Sequence, residues 1–530
     1  MLIHTFSDPI TVEAPERRML LGGKGAGLAT MTAELGLAVP PGFVITTDAF
    51  HAFHREGSLD FLVDELRVAV GRLEVAVGRE LGDGDQPLVV SVRSGAPVSM
   101  PGMMDTILNL GLTDETTRGL AALTNAPFAN ECRERFDKMF SEIVLAAHDD
   151  GTSPGVPADA WTQLLLAIEA VFRSWDSSRA IEYRRVEAIP DDLGTAVTVQ
   201  AMVFGNSGPD SGTGVVFTRD PSTGEHVLFG DYLSDAQGED VVAGTHQTVP
   251  LTQMETVVPG AYAELLEVLD GLERHTADIC DVEFTVENGK LWILQSRVGK
   301  RTPLAAVEVA VAMATDPDFP LSLAGAIGCV TGGQLDTVLS ATHAVTTAEP
   351  IAGGLGASPG LATGQAYFSA DDAVDAVDAV DAADQGVAVV LVRPETSPAD
   401  VHGMGVAQGI LTSTGGLASH AAVVARGWGI PAVVGVGEGL AVFERHAVAG
   451  AHTINEGDVI TIDGTSGDVF RDVVDLHESD IAPATETFLA WVDDTLRDLD
   501  PGREVDGAPR ERLEAAQMLL AESADIAVVG

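Results

Sequence analysis

The chain is poor in lysine and cysteine, and each shortage excludes something. Only four of its 530 residues are lysine (Lys24, Lys138, Lys290 and Lys300). Lysine and arginine together number 30 against 79 acidic residues, a formal charge of −49. A surface so negative repels nucleic acid and anionic membranes, so neither is an expected partner. Three cysteines, Cys132, Cys280 and Cys329, lie far apart and form no CxxC pair. That argues against a disulfide framework or a thiolate zinc site and points to a reducing, cytoplasmic location. No run of about 18 uncharged apolar residues occurs, so no membrane span is expected. Residues 1–10 lack the basic start and apolar run of a signal peptide. With 45 % hydrophobic and 21 % charged residues the chain reads as folded. Its length calls for roughly two to four domains.

Hydrophobic patterning divides the chain further. Apolar runs at 43–46, after Pro40-Pro41-Gly42, and at 88–92, after a Gly/Asp cluster, read as buried strands. Residues 113–190 change to helical spacing, as in Phe136, Met139, Phe140, Ile143 and Val144. Strand-like runs return at 196–204, 214–218, 281–286 and 291–296. A strand-rich unit is therefore split by a helical insertion. Residues 303–345 read as a helical connector. Residues 350–475 alternate Gly-rich turns with strands, such as 387–392, and a helix from about Ala421. Three Ala-Val-Asp triplets within 371–384 read as an acidic, exposed helix or loop without assigned chemistry. The tail offers a helix at 485–499, a polar break, and a further segment from Pro509 to Gly530.

Four stretches carry chemistry. Gly22-Gly23-Lys24-Gly25-Ala26-Gly27 places one of the four lysines in a glycine-rich loop. Such a loop can bring backbone N–H groups against phosphate oxygens, although it is neither a Walker A loop nor GxGxxG. Ser91-Val92-Arg93-Ser94-Gly95 ends a buried strand on an arginine, which can clamp phosphate or make a structural ion pair. The third stretch is a hairpin from Asp281 to Arg297 around Asn288-Gly289. Uniting Val282, Phe284, Val286, Trp292 and Leu294 on one face requires a three-residue loop, Glu287 to Gly289. Asp281, Glu283, Gln295 and Arg297 then share the other face. That polar face suits Mg²⁺ and a nucleotide, or merely solvent. In the fourth stretch, Thr414-Gly415-Gly416-Leu417-Ala418-Ser419 leads into a helix that starts at His420. A neutral imidazole there is a nucleophile toward phosphorus, and the helix N-terminus favours the phosphoryl dianion. A capping or surface histidine is the other reading.

Taken together, these stretches resemble pyruvate phosphate dikinase. The likeness is carried by Ser91-Val92-Arg93-Ser94-Gly95, by Met100-Pro101-Gly102-Met103-Met104-Asp105, and by Thr218-Arg219-Asp220-Pro221-Ser222-Thr223-Gly224-Glu225. Asp235-Ala236-Gln237-Gly238-Glu239-Asp240, Gln295-Ser296-Arg297 and the His420 segment extend it over roughly residues 15–475. The resemblance implies an α/β and α+β multidomain protein. Its parts would be an ATP-grasp nucleotide-binding domain over 1–300 with a helical insertion at about 113–190, a helical connector over 301–349, a swivelling β/β/α phosphohistidine domain over 350–475, and a helical tail over 476–530. It implies that Lys24, Arg93, Gly102, Asp281, Glu283, Gln295 and Arg297 bind ATP, with Glu283 and Gln295 on Mg²⁺. It implies that His420 is phosphorylated from ATP with inorganic phosphate as co-substrate. The family's C-terminal pyruvate barrel is expected to be lacking, apart from a possible remnant in the tail. The acceptor would then be a separate phosphoenolpyruvate/pyruvate-binding protein, or the chain would be a phosphohistidine carrier or regulator. Ala418 stands where plant-type relatives carry a regulatory threonine, so control through that residue is not expected.

Overall fold

The structure is a computed structural model. It describes residues 1–9, 12–98, 100, 103–145, 155–186, 188–242, 249–340, 348–381, 388–397, 400–417, 419–474, 482–501 and 506–522. The chain forms two compact units. One holds Met1–Thr213, Ser234–Gln237 and Glu283–Arg297, and the other holds Gly214–Leu233, Gly238–Val282 and Val298–Gly530.

The first unit is built on a five-stranded antiparallel sheet. Its spatial order is Ile3–Thr5, Gly42–Ile45, Ala196–Ala201, Val90–Gly95 and Thr106–Leu110. All six residues of the central strand Ala196–Ala201 are buried. Its one amide, Gln200, is satisfied by donating to the Pro40 carbonyl at 3.1 Å. Helix Ala160–Ser174 packs on this sheet through Leu164, Ala167, Ile168, Val171 and Phe172, a spacing of three and four that lines one helical face. The insertion region holds that helix together with Asp114–Leu123, Ala126–Phe140 and Ser178–Val186. Local sequence sets the helix starts. Asn125 accepts from the Phe128 N–H at 3.0 Å and Asp159 from the Thr162 N–H at 2.8 Å, which satisfies otherwise orphaned donors.

Strands Cys280–Glu287 and Lys290–Val298 form the hairpin, at one edge of a second five-stranded sheet. Its loop has two residues, Asn288 (φ 50°) and Gly289 (φ 79°). This corrects the three-residue loop expected above. Two successive positive φ values make a type I′ turn, whose twist matches that of the strands. The turn pairs Glu287 with Lys290, so Val286 and Phe284 share a face with Leu291 and Ile293. Those four are buried, whereas Trp292 and Leu294 are half-exposed.

The second unit contains an eight-stranded mixed sheet over residues 352–471. Strands Leu361–Tyr367, Val389–Arg393, Gly409–Thr412 and Ala432–Val434 run parallel at its centre. The Val389–Arg393 strand is a continuous apolar run because both its faces are covered. Val389 and Leu391 pack with Ala373, Met404, Ala421, Ala422 and Ala425 from the helices on one side. Val390 and Val392 pack with Leu440, Ala447 and Ile454 on the other. These last belong to a small three-stranded sheet, Leu440–Val442, His446–Ala449 and His452–Asn455.

Connector and tail share one core in this unit. Helices Pro303–Thr315, Leu323–Gly328 and Gly332–Ser340 bury Val307, Ile327 and Leu335 against Phe488, Val492, Leu496, Leu513 and Leu520 of helices Pro483–Leu499 and Pro509–Glu522. The tail residues described here form helices and no strand. Among the described residues no helix is long and apolar enough to cross a membrane.

Candidate functional site

Backbone geometry around Gly22 explains where Lys24 sits. Helix Ala14–Ala29 is broken at Gly22, which takes φ 69° and ψ 166°. A Cβ at this position would lie 1.6 Å from the Gly95 carbonyl oxygen, so only glycine lets the two backbones approach. The chain restarts its helix at once, with the Gly23 N–H donating to the Ala96 carbonyl at 2.9 Å. Lys24 therefore lies in the first turn after the break, beside the end of the Arg93 strand. Arg18 Nε donates to the Pro97 carbonyl at 2.7 Å and Arg179 Nε to that of Met103 at 3.1 Å, and these bonds tie down the loop beyond the strand. Gly102 and Ser99 of that loop lie outside the described residues.

Lys24 is the charge centre of the first unit. Desolvation lowers its pKa to about 8, Arg93 and Arg297 push the same way, and only Glu283 opposes them. Three cations thus stand around one carboxylate in a chain that carries very few. Arg93 Nε is buried with no hydrogen-bond partner among the described residues. Directly across from Arg93 in the sheet is Thr198, whose buried hydroxyl also has none. Unpaired buried donors beside a cluster of excess positive charge are what a polyphosphate anion would satisfy.

The same geometry tests the metal. Mg²⁺ that arrives on a nucleotide needs only one or two protein oxygens besides the phosphates, and Glu283 fits as one. Gln295, the other residue expected on the metal, lies on the second strand of the hairpin and is buried. Strand alternation from the two-residue turn puts Gln295 and Arg297 with Leu291 and Ile293, and Glu283 with Trp292 and Leu294. The shared polar face expected for these residues is thus corrected. Asp281 belongs to the second unit, where its carboxylate acts on Arg426. No group of three or more His, Cys, Asp or Glu side chains among the described residues could hold a metal.

His420 opens helix His420–Trp428, behind Ser419, which caps the Ala422 N–H. The turn before it is anchored on the neighbouring loop. Thr414 donates to the Pro394 carbonyl through its N–H at 2.8 Å and its hydroxyl at 2.9 Å, and the Ser413 N–H reaches the Arg393 carbonyl at 3.2 Å. That loop ends on Asp400, which is buried and accepts from the Ser397 N–H at 2.8 Å and hydroxyl at 2.9 Å. Arg393 Nε lies 3.3 Å from its other oxygen. Burial holds the His420 imidazole below its ordinary pKa, and the Asp400 charge works against that shift. Nε2 is buried with no hydrogen-bond partner among the described residues. The ring is therefore neutral at pH 7, with an uncommitted nitrogen at a helix N-terminus. Ala418 lies outside the described residues.

Sequence reasoning assigned nothing to Asp400, Thr198 or Arg426. Thr198 acquires meaning only through a contact distant in sequence, and Asp400 through its charge acting on His420, twenty residues away. Arg426 stands within the histidine segment itself, and its burial is the missing signal.

Two stretches of the chain match known protein-family models. Residues 18–69 and 60–254 match the pyruvate phosphate dikinase AMP/ATP-binding domain. Residues 386–467 match the mobile domain of PEP-utilising enzymes. Over these two stretches the chain is similar to a pyruvate phosphate dikinase AMP/ATP-binding domain and to a PEP-utilising mobile domain. Among named relatives, it is 41 % identical to pyruvate, phosphate dikinase of Clostridium symbiosum over 94 % of this chain and 61 % of that protein. It is 44 % identical to the chloroplastic pyruvate, phosphate dikinase 1 of Arabidopsis thaliana over 90 % of this chain and 53 % of the relative. The Rhizobium meliloti dikinase gives 41 % over 93 % and 60 %. The chain spans a little over half the length of these relatives. The comparisons lend no support to the expectation that a C-terminal barrel is lacking.

Proposed function

We propose that this chain is an ATP- and phosphate-dependent phosphotransferase of the pyruvate phosphate dikinase kind, and that its described domains perform the ATP side of the reaction. The observation that carries the reading is His420, neutral by burial with Nε2 unengaged at a helix N-terminus. The nucleotide lies in an ATP-grasp-type site, its phosphates held by Lys24, Arg93 and Arg297. Gly102 belongs to the same loop by resemblance. Mg²⁺ bound with the nucleotide would be held by Glu283 and would neutralise phosphate charge. Nε2 attacks the β-phosphorus, the bond to the α–β bridging oxygen breaks, and AMP leaves. An oxygen of inorganic phosphate then attacks the γ-phosphorus, pyrophosphate departs, and phospho-His420 remains. The helix dipole stabilises the phosphoryl dianion. An acceptor held outside these two domains, a phosphoenolpyruvate/pyruvate-binding one by resemblance, takes the phosphoryl group. Reaching it requires the part spanning 350–474 to move about connectors near 340–355 and 475–485, of which 341–347 and 475–481 lie outside the described residues.

Incubation with β-labelled ATP, Mg²⁺ and phosphate is expected to give acid-labile, base-stable label on His420. His420→Asn should lose it entirely while ATP still binds, since the nucleophile and the nucleotide ligands come from different domains. Full labelling of His420→Asn would refute the assignment.

A further inference from the structure

Six residues beyond His420 on the same helix is Arg426, only 1 % exposed. Its Nη1 donates to the Ala357 carbonyl at 2.8 Å, fastening the helix to strand Leu355–Ser358. Its Nη2 donates to the Leu417 carbonyl at 2.7 Å, in the turn that delivers His420. The aromatic rings and charged groups that act on it come from outside 350–474. The guanidinium lies 5.4 Å from the centroid of the Phe217 ring and 5.8 Å from that of Phe229. Burial draws its pKa to about 10, and the carboxylates of Asp281, Asp220 and Asp231 resist that, so it is charged at neutral pH. The histidine turn meets the same face: a Cβ on Gly416 would lie 2.5 Å from Asp231 Oδ2.

An arginine serving only the fold of its own domain needs no more than the two carbonyls. Two rings and three carboxylates supplied by other segments are superfluous to that role. They make the desolvated guanidinium stable only while the domain rests on them. When the domain departs, water reaches the guanidinium and competes for the arm that holds Leu417.

We propose that Arg426 is a positioning residue that couples docking to phosphorylation. It holds the Leu417 carbonyl, and so the turn into His420, in its phosphoryl-accepting arrangement while the 350–474 part sits on Phe217, Phe229 and Asp231. The proposal rests on the reading of His420 as phosphoryl acceptor.

The test compares two phosphoryl donors on the full chain. Labelling from ATP needs the docked arrangement. Labelling from phosphoramidate, a small donor that expels ammonia, needs only a reachable imidazole. Arg426→Lys keeps the charge but loses the two-armed fork, and should slow single-turnover labelling from ATP about 100-fold. Phe229→Leu leaves the 350–474 part untouched, and should slow it about tenfold. Nucleotide Kd and phosphoramidate labelling of His420 should stay within about twofold of the parent in Phe229→Leu. ATP labelling unchanged in Phe229→Leu overturns the proposal. So does an equal fall with both donors in both variants, the mark of a merely structural arginine. If Arg426→Lys fails to fold, Phe229→Leu alone decides. A parent chain that takes no label from ATP refutes the phosphohistidine reading itself, an outcome separate from these.

Discussion

At pH 7 the Lys24 ammonium keeps its proton by a narrow margin, because desolvation and two neighbouring guanidinium groups have brought its pKa from 10.5 to about 8. The unfolded chain holds that proton more tightly. Stability contributed at this residue therefore rises as pH climbs from about 8 toward 10.5. A bound polyphosphate acts in the opposite direction and draws the proton back. ATP binding at pH 8.5 should thus take up a fraction of a proton, seen as a dependence of the calorimetric enthalpy on buffer ionisation heat, and should weaken above pH 8. Lys24→Gln should abolish both effects, and equal enthalpies in all buffers would remove Lys24 from the site. The glycine two residues earlier makes a purely steric test. A Cβ at Gly22 meets the Gly95 carbonyl at 1.6 Å, whereas one at Gly71, within helix Val63–Val77, meets nothing within 4 Å. Gly22→Ala should give misfolded protein or abolish nucleotide binding, because neither backbone can yield. Gly71→Ala should raise stability by about 1 kcal/mol through helix propensity. Thermal midpoints and soluble yields of the two variants distinguish clash from propensity.

Among the elements, the hairpin shows where sequence reasoning fails and why. Asn-Gly is a strong two-residue turn signal, yet matching apolar sets across the strands favoured a longer loop. That matching assumed one buried face. In the structure Leu291 and Ile293 take the core, while Trp292 stays half-exposed with the Lys290 ammonium 3.6 Å from its ring centroid. Apolarity on both sides of a strand does not declare which side is inside. Asn288→Val separates the two registers. At φ 50° a β-branched residue should cost about 1–2 kcal/mol in chemical denaturation, whereas the longer loop would accept it without loss. Other elements were legible for identifiable reasons. The strand within 387–392 was marked by its uninterrupted apolar run, and the helix expected from Ala421 begins at His420 behind a serine cap. The three-stranded sheet over 440–455 was not, since its strands are three or four residues long and one of them carries His452 and Thr453 at exposed positions. Nor could the sequence join connector to tail. Val307 and Leu335 meet Phe488 and Leu513 only through packing across more than a hundred residues.

Over the whole molecule, the charge of −49 sets the terms on which an anionic nucleotide approaches. Two effects of opposite sign act at different ranges. In the proposed site, Lys24, Arg93 and Arg297 would attract phosphate at contact, where desolvated pairs are little affected by salt. The acidic surface repels the same ligand from much farther away, and that repulsion is screened once the Debye length shrinks from about 30 Å at 0.01 M salt to about 8 Å at physiological strength. The far field governs encounter and the near field governs residence. Association of a fluorescent ATP analogue should therefore quicken severalfold as salt rises from about 0.01 to 0.15 M, while dissociation changes little. This is the reverse of the salt response of a basic phosphate-binding protein. Stopped-flow measurement of both rates decides it. An association rate that falls with salt would mean that the three cations project their field past the acidic surface and steer the ligand themselves. Arg93→Gln would then lower the association rate at low salt, whereas under screening of the acidic surface it should act on dissociation alone.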